Sequence, residues 1–172
     1  MTKVRAFCRA VDTINEWAGG KFISILAIGV VGVTAAEVVL RYIFNQPTIW
    51  ATDLNLQLMA AIITVGAGYT LLQKQHVIVD VVVTRFSPRV RAILDLATSS
   101  FFFLGIGVMF WRSVIAARES IMMRELMSTI WEPPLYPIRV VMAIGLFLFL
   151  LQGTVKFIRD LNIAFTGKED LL

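Results

Sequence analysis

The chain has 172 residues, of which 58% are hydrophobic and only 16% are charged, and its formal net charge is +4. A water-soluble domain of this length carries more charge, so the composition indicates a membrane protein. The positive balance does not indicate nucleic-acid binding, because basic residues in membrane proteins mainly report orientation. We therefore expect the lipid bilayer as a partner and no nucleic acid.

The segment 4–18 has the apolar spacing of an amphipathic helix, with basic and acidic residues largely on the other face. We expect it to lie in the cytoplasmic membrane interface, with Trp17 as an anchor, and Gly19-Gly20 to provide the bend into the first span. The alternative is a disordered basic tail, but the spacing holds over about four turns. The first apolar run begins too late and is too long for a cleaved signal peptide. The apolar face comprises Val4, Phe7, Val11, Ile14 and Ala18.

Four apolar stretches each reach the length of about 20 residues that a transmembrane helix needs. The connections between them are short and leave no room for a soluble domain. We therefore predict a single all-α integral membrane domain over residues 1–172, in the form of a compact four-helix bundle. The predicted spans are residues 22–44, 54–72, 92–111 and 135–158.

The distribution of basic residues predicts the orientation of the spans. Eleven of the 16 lysines and arginines fall on the side that holds both termini, so both termini should be cytoplasmic. The segment 73–88 is β-branched and weakly alternating, but a lone strand has no pairing partner there, so we expect a helical or irregular segment. After Trp111 an amphipathic helix should emerge on the periplasmic side, lie along the surface or pack on a partner, and end at residues 131–134.

Glu37 and Arg41 lie one helical turn apart inside the first apolar stretch. A charge near the middle of a spanning helix costs about 2.5–3.5 kcal/mol. The acidic residue comes first, which favours an ion pair within the helix, and Arg41 would then reach toward water. The alternatives are a polar contact with a partner subunit or a charge gate on a transport path. We favour the partner contact, because Glu37 lies about 10 Å of helix rise below Phe44.

Other polar residues flank the spans. Thr52 or Asp53 is expected to cap the second helix, and Asp95 to pair with Arg91 or with a partner. His76 and Asp80 are one turn apart if helical, but a metal site needs three or four ligands, so we expect them to fix the cytoplasmic loop.

The chemistry available to the chain is limited, because it has one histidine and one cysteine. Neither a haem site with two histidines nor a disulfide-generating centre is expected. The chain also lacks a nucleophile–base pair and a phosphate-binding loop. We predict that it is not an enzyme and holds no cofactor.

Three short motifs follow one another along the chain: E-x-x-x-R-Y at 37–42, P-x-x-W-x-x-D at 47–53 and H-V-x-V-D at 76–80. Each is weak alone, but the ordered set resembles the small permease subunit (Q-type) of TRAP transporters, the tripartite ATP-independent periplasmic transporters. The family often has glutamate at the position of Asp53. The resemblance gives these candidate partner-interface residues: Glu37, Arg41, Tyr42, Trp50, Asp53, His76 and Asp80.

The resemblance implies a sodium-coupled importer of an organic acid in the bacterial inner membrane. In such a system a large M-type membrane subunit holds the substrate and sodium sites and moves as an elevator, and a periplasmic binding protein delivers the substrate. The small subunit is expected to scaffold the large one and to help dock the binding protein. The substrate (a dicarboxylate, 2-keto acid, sialic acid or sulfonate) cannot be read from this chain.

Two alternatives remain at the level of the sequence. One is a small integral-membrane subunit of a respiratory or redox complex, which the single histidine and single cysteine disfavour. The other is a free-standing carrier, which would need broken helices or several polar residues at the midplane of the bilayer.

Overall fold

The computed structural model describes residues 2–73 and 88–166. Helix α1 (Thr2–Trp17) continues through a π-helical turn (Ala18–Phe22) into α2 (Ile23–Tyr42). The other helices are α3 (Ala51–Leu72), α4 (Pro88–Met123) and α5 (Tyr136–Thr166). Within the described residues, four helical segments are long and apolar enough to cross a membrane, and the only β feature is one isolated bridge. The all-α prediction with four membrane helices is confirmed.

Residues 2–17 form a helix, so the alternative of a disordered tail is wrong there. We predicted a bend at Gly19-Gly20. In the structure these two glycines lie in the π-helical turn, and the chain remains helical through them. The predicted apolar face of α1 is divided between two environments. Val11 and Ala18 are buried against the protein together with Cys8, whereas Phe7 and Ile14 are 43% and 49% exposed. Helix α1 therefore packs on the other helices through one side and keeps a second apolar side free.

Helix α4 is much longer than the predicted third span. Its 36 residues correspond to about 54 Å, well beyond the roughly 30 Å of a hydrocarbon core. The amphipathic segment after Trp111 does not lie along the surface as predicted, because residues 112–123 continue α4 and bury Ala117 and Ser120. The helix ends before the predicted break at 131–134, since Arg124 takes a left-handed φ of 48°.

The four spans pack as a row in the order α2, α3, α5, α4. Helices α3 and α5 form the centre, while α2 packs mainly on α3 and α4 on α5. Burial follows this order, because α3 contains five buried residues and α2 contains none. Helix α1 contacts both central helices. The expected compact bundle is thus an open row with two broad apolar faces.

The central pair approaches closely at glycines, as is common for helices that associate in lipid. A Cβ added at Gly145 of α5 would lie 2.6 Å from the carbonyl carbon of Thr64 and 2.8 Å from the nitrogen of Val65. A Cβ at Gly153 would overlap the ring of Phe102, which packs edge-on against Phe149 at a centroid distance of 5.1 Å. Small residues on α5 therefore set its distance from both α3 and α4.

We expect Gly145→Ala to lower the free energy of unfolding by about 1–3 kcal/mol, because the new methyl group meets backbone atoms that cannot rotate away. Gly107→Ala is the matched control, since no atom lies within 4 Å of a Cβ at that helical position. Thermal unfolding in detergent measures both. Equal stability of the two variants would contradict the close packing of α3 on α5.

Candidate partner-interaction site

The first predicted pair is present at the end of α2. Arg41 donates from Nε (2.9 Å) and Nη2 (2.5 Å) to Oε1 of Glu37. The second carboxylate oxygen accepts the backbone N–H of Thr48 at 3.1 Å and also the Thr48 hydroxyl. The side chain of Glu37 is only 14% exposed, whereas that of Arg41 is 51% exposed. The carboxylate therefore fixes the turn after α2, and the guanidinium remains half open.

The turn after α2 follows from its local sequence. Asn45 adopts φ 53°, a left-handed conformation that asparagine tolerates well. The N–H of Gln46 then donates to the carbonyl of Leu40 at 2.9 Å. This geometry brings Thr48 back over Glu37. The spacing predicted the Glu37–Arg41 pair, but nothing in the spacing marked Thr48 as its third member.

Two aromatic candidates flank this turn. Tyr42 is 76% exposed, and Trp50 directly precedes α3 and is partly buried. Ile43 and Phe44 are also strongly exposed, at 72% and 60%. This end of α2 thus presents several exposed aromatic and aliphatic side chains.

Asp53 does not cap α3 as predicted, and neither does Thr52. The helix begins at Ala51, and the preceding Trp50 makes no side-chain cap. Asp53 is buried, and its Oδ2 accepts the hydroxyl of Thr129 at 2.6 Å. The carboxylate still lies in the first turn of α3, where the helix dipole favours it. Its role is to hold the connection between α4 and α5 against α3.

That connection, residues 124–135, is a folded loop. Leu126 and Pro134 form an antiparallel bridge, and the N–H of Leu135 donates to the carbonyl of Glu125 at 2.9 Å. Glu125 also accepts Nη2 of Arg139 at 2.7 Å, which ties the loop to the start of α5. Sequence reasoning missed this pair, although the alternation of arginines and glutamates in the segment was a usable signal.

Several polar residues contact one another at the helix ends that lie opposite to the Glu37 turn. Arg159 pairs with Asp12 at 2.5 Å, and Gln152 donates to the same carboxylate at 3.0 Å. Asn15, which is fully buried, donates to Oε1 of Gln152 at 3.0 Å. Asp95 pairs with Lys156 on α5 at 3.6 Å, whereas the side chain of Arg91, its other expected partner, lies outside the described residues. The single glutamine inside the fourth apolar stretch was the sequence signal for this contact between α1 and α5.

His76 and Asp80 lie outside the described residues, as does most of the ambiguous segment 73–88. The structure therefore brings together only part of the candidate set: Glu37 with Arg41, and Tyr42 and Trp50 beside the same turn. Among the described residues there is no cluster of three or more histidine, cysteine or acidic side chains that suits a metal ion.

The comparison with protein families decides the identity of the chain. Residues 30–162 match the family model described as "Tripartite ATP-independent periplasmic transporters, DctQ component". The chain belongs to this family. It is a small TRAP transporter permease subunit, which is a transporter component and not an enzyme, and it is a multi-pass membrane protein. The alternative of a respiratory or redox subunit is wrong.

Curated relatives of this TRAP subunit agree with the family match. It is 28% identical over 85 residues to the C4-dicarboxylate TRAP transporter small permease protein DctQ of Vibrio cholerae, covering 49% of this chain and 35% of the relative. It is 25% identical over 81 residues to the sialic acid TRAP transporter permease protein SiaT of Haemophilus influenzae, covering 47% of this chain and 12% of the relative. The matches thus span a minor part of both relatives. No solved structure matches the chain significantly.

We expect Thr129→Val in this TRAP subunit to release the loop 124–135 from α3, because the buried Asp53 loses its hydroxyl donor. Loss of such a hydrogen bond to a charged group costs about 1.5–3 kcal/mol. Hydrogen exchange of the loop amides should accelerate accordingly. Thr52→Val, at an exposed position in the same first turn of α3, is the control and should leave the loop unchanged. Slow exchange in both variants would show that Thr129 does not hold the loop 124–135 against α3.

Proposed function

We propose that this chain is the small subunit of a sodium-coupled, binding-protein-dependent importer of an organic acid. In this proposal it widens the fixed scaffold beside a large elevator-type M subunit and helps to dock the periplasmic binding protein. The names of its relatives mention sialic acid and C4-dicarboxylates, and both are organic acids. Those names support the substrate class but do not select a member of it.

The observation that carries the scaffold proposal is the edge position of α2. This helix has no buried residue and leaves Ile25, Ile28 and Val31 66–72% exposed. A Cβ at Gly32 of the same helix would meet no atom within 4 Å. An apolar face with a glycine in it suits the close approach of another membrane helix. A second chain packed here would extend the row.

The polar residues support a scaffold more than a transport path. Gln152 and Asp53 are buried, and each is hydrogen-bonded to another residue of the chain. Substrate transport needs polar groups that are free to bind an anion and coupling ions near the midplane. We therefore place the substrate and sodium sites in the large subunit and propose no cofactor for this chain.

The docking proposal relies on the helix ends and loops that lie on the same side of the bundle as Glu37. Tyr42 is 76% exposed there, and Ile130 at the tip of the loop 124–135 is 87% exposed. Exposed aromatic and aliphatic residues at a membrane surface suit contact with a second protein. In our proposal this end faces the periplasm, both termini are cytoplasmic, and the chain lies in the bacterial inner membrane.

The function is tested with proteoliposomes that contain the large subunit, supplied with the binding protein and a sodium gradient. We expect uptake of an organic acid only when this chain is also present. Uptake that is unchanged without the chain, together with its purification as a stable monomer, would overturn the proposal.

Arg41→Ala should reduce co-purification of the large subunit by at least about tenfold, because Glu37 then meets the partner without its cation. The stability of the isolated chain should change less than the yield does, because Thr48 still donates to the second carboxylate oxygen of Glu37. Arg112→Ala, at an exposed position on α4 with no ion pair to a described residue, is the matched control. Unchanged yield and unchanged transport in Arg41→Ala would leave the pair as a surface feature.

Gly32→Leu tests the face of α2 directly. We expect co-purification of the large subunit to fall about tenfold, because the larger side chain blocks close approach of a partner helix. Gly105→Leu on the opposite edge helix is the control, since its surroundings are equally open. Loss of the large subunit with Gly105→Leu alone would move the interface from α2 to α4.

A further inference from the structure

An open groove of about 500 Å³ lies between the halves of α4 and α5 that adjoin the loop 124–135. Phe110 and Phe147, with ring centroids 5.8 Å apart, form one end of it. Ala117 and Ala143 lie among the larger lining side chains and leave space between the two helices. Nine of the ten lining residues are apolar, and the tenth is Arg118.

On α4 the groove extends from Phe110 to Met122, which is twelve residues or about 18 Å of helix. Phe110 and Arg118 are eight residues apart on α4, which is about 12 Å along the helix. Half of a hydrocarbon core is about 15 Å. Along α4, Arg112 and Arg118 lie about 26 Å and about 34 Å from Asp95, so a core thickness of about 30 Å ends between these two arginines and places Arg118 at the level of the lipid headgroups. The groove therefore reaches from the headgroup level at Arg118 into the apolar core at Phe110.

Arg118 is exposed, and no acidic side chain among the described residues pairs with it. The neighbouring Glu119 points elsewhere, because consecutive residues of a helix do not face each other. By contrast, Arg139 and Lys156, which also lie near helix α4, have acidic partners. The mouth of the groove thus carries a positive charge that the chain does not neutralise.

We propose that this groove holds one acyl chain of a phospholipid, with the lipid phosphate bound by the guanidinium of Arg118. A phospholipid has one anionic group at the interface and only apolar atoms below it. The groove has Arg118 at the headgroup level and only apolar side chains on its core side, while Ile121 and Met122 continue the groove beyond Arg118. Arginine is well suited to phosphate, because its fork of N–H donors matches the oxygens. In the orientation proposed above, the lipid belongs to the periplasmic leaflet.

The test uses the full chain, alone and with its large subunit, titrated with phosphatidylglycerol and measured by native mass spectrometry. We expect one saturable lipid on the wild type, with affinity reduced about fivefold by Arg118→Gln, as for the loss of one arginine near an anionic headgroup. Ala143→Phe should abolish the saturable binding by filling the groove. The matched controls outside the groove, Arg112→Gln and Ala97→Phe, should bind as the wild type does.

A phosphatidylglycerol with a photoreactive acyl chain gives an independent readout that does not depend on variants. We expect cross-links concentrated at Phe110, Val114 and Val140, which line the groove. Cross-links spread evenly over the exposed faces, or equal loss of binding in Arg112→Gln, would overturn the proposal. Exclusion of lipid from the groove by the large subunit would overturn it as well, because the groove would then be a protein interface.

Discussion

Charges and polar groups taken out of water by lipid must find partners within the protein, and this constraint determines how the helices are joined. The ion pairs of the described residues lie toward the ends of the spans, and most of them involve α5. Asp12 of α1 pairs with Arg159, Asp95 of α4 pairs with Lys156, and the loop 124–135 pairs through Glu125 with Arg139. Helix α5 is therefore the element to which α1, α4 and the loop are attached.

Between these polar ends, the helices meet through shape alone. Gly145 brings α5 against the backbone of α3, and Gly153 admits the ring of Phe102 from α4. Since lipid tails are as apolar as the side chains, burial of apolar surface gives little preference for one neighbour over another there. Polar contacts at the ends then decide which helices are neighbours, and small residues in the middle decide how closely they pack.

The sequence allowed prediction of the features that depend on local pattern. Hydropathy located the four membrane helices, and the spacing of Glu37 and Arg41 predicted their ion pair. It did not allow prediction of contacts between distant segments. Thr129 reaches Asp53 across 76 positions and Asn15 reaches Gln152 across 137, and no periodicity encodes such pairings. The row arrangement was missed for the same reason, because hydropathy defines a span but not its neighbours.

The contacts that Glu37 makes within the chain change the reason for expecting a partner subunit. In the sequence, an ionised carboxylate inside an apolar stretch favoured contact with a second protein over an ion pair within the helix. In the structure Arg41 and Thr48 already satisfy both of its oxygens within the chain. The charge alone no longer requires a partner. What favours a partner, in our proposal, is the apolar face of α2, which contains no buried residue, together with the half-exposed guanidinium at its end. Lipid can cover the aliphatic part of that face, but a second helix would use its open glycine and its cation as well.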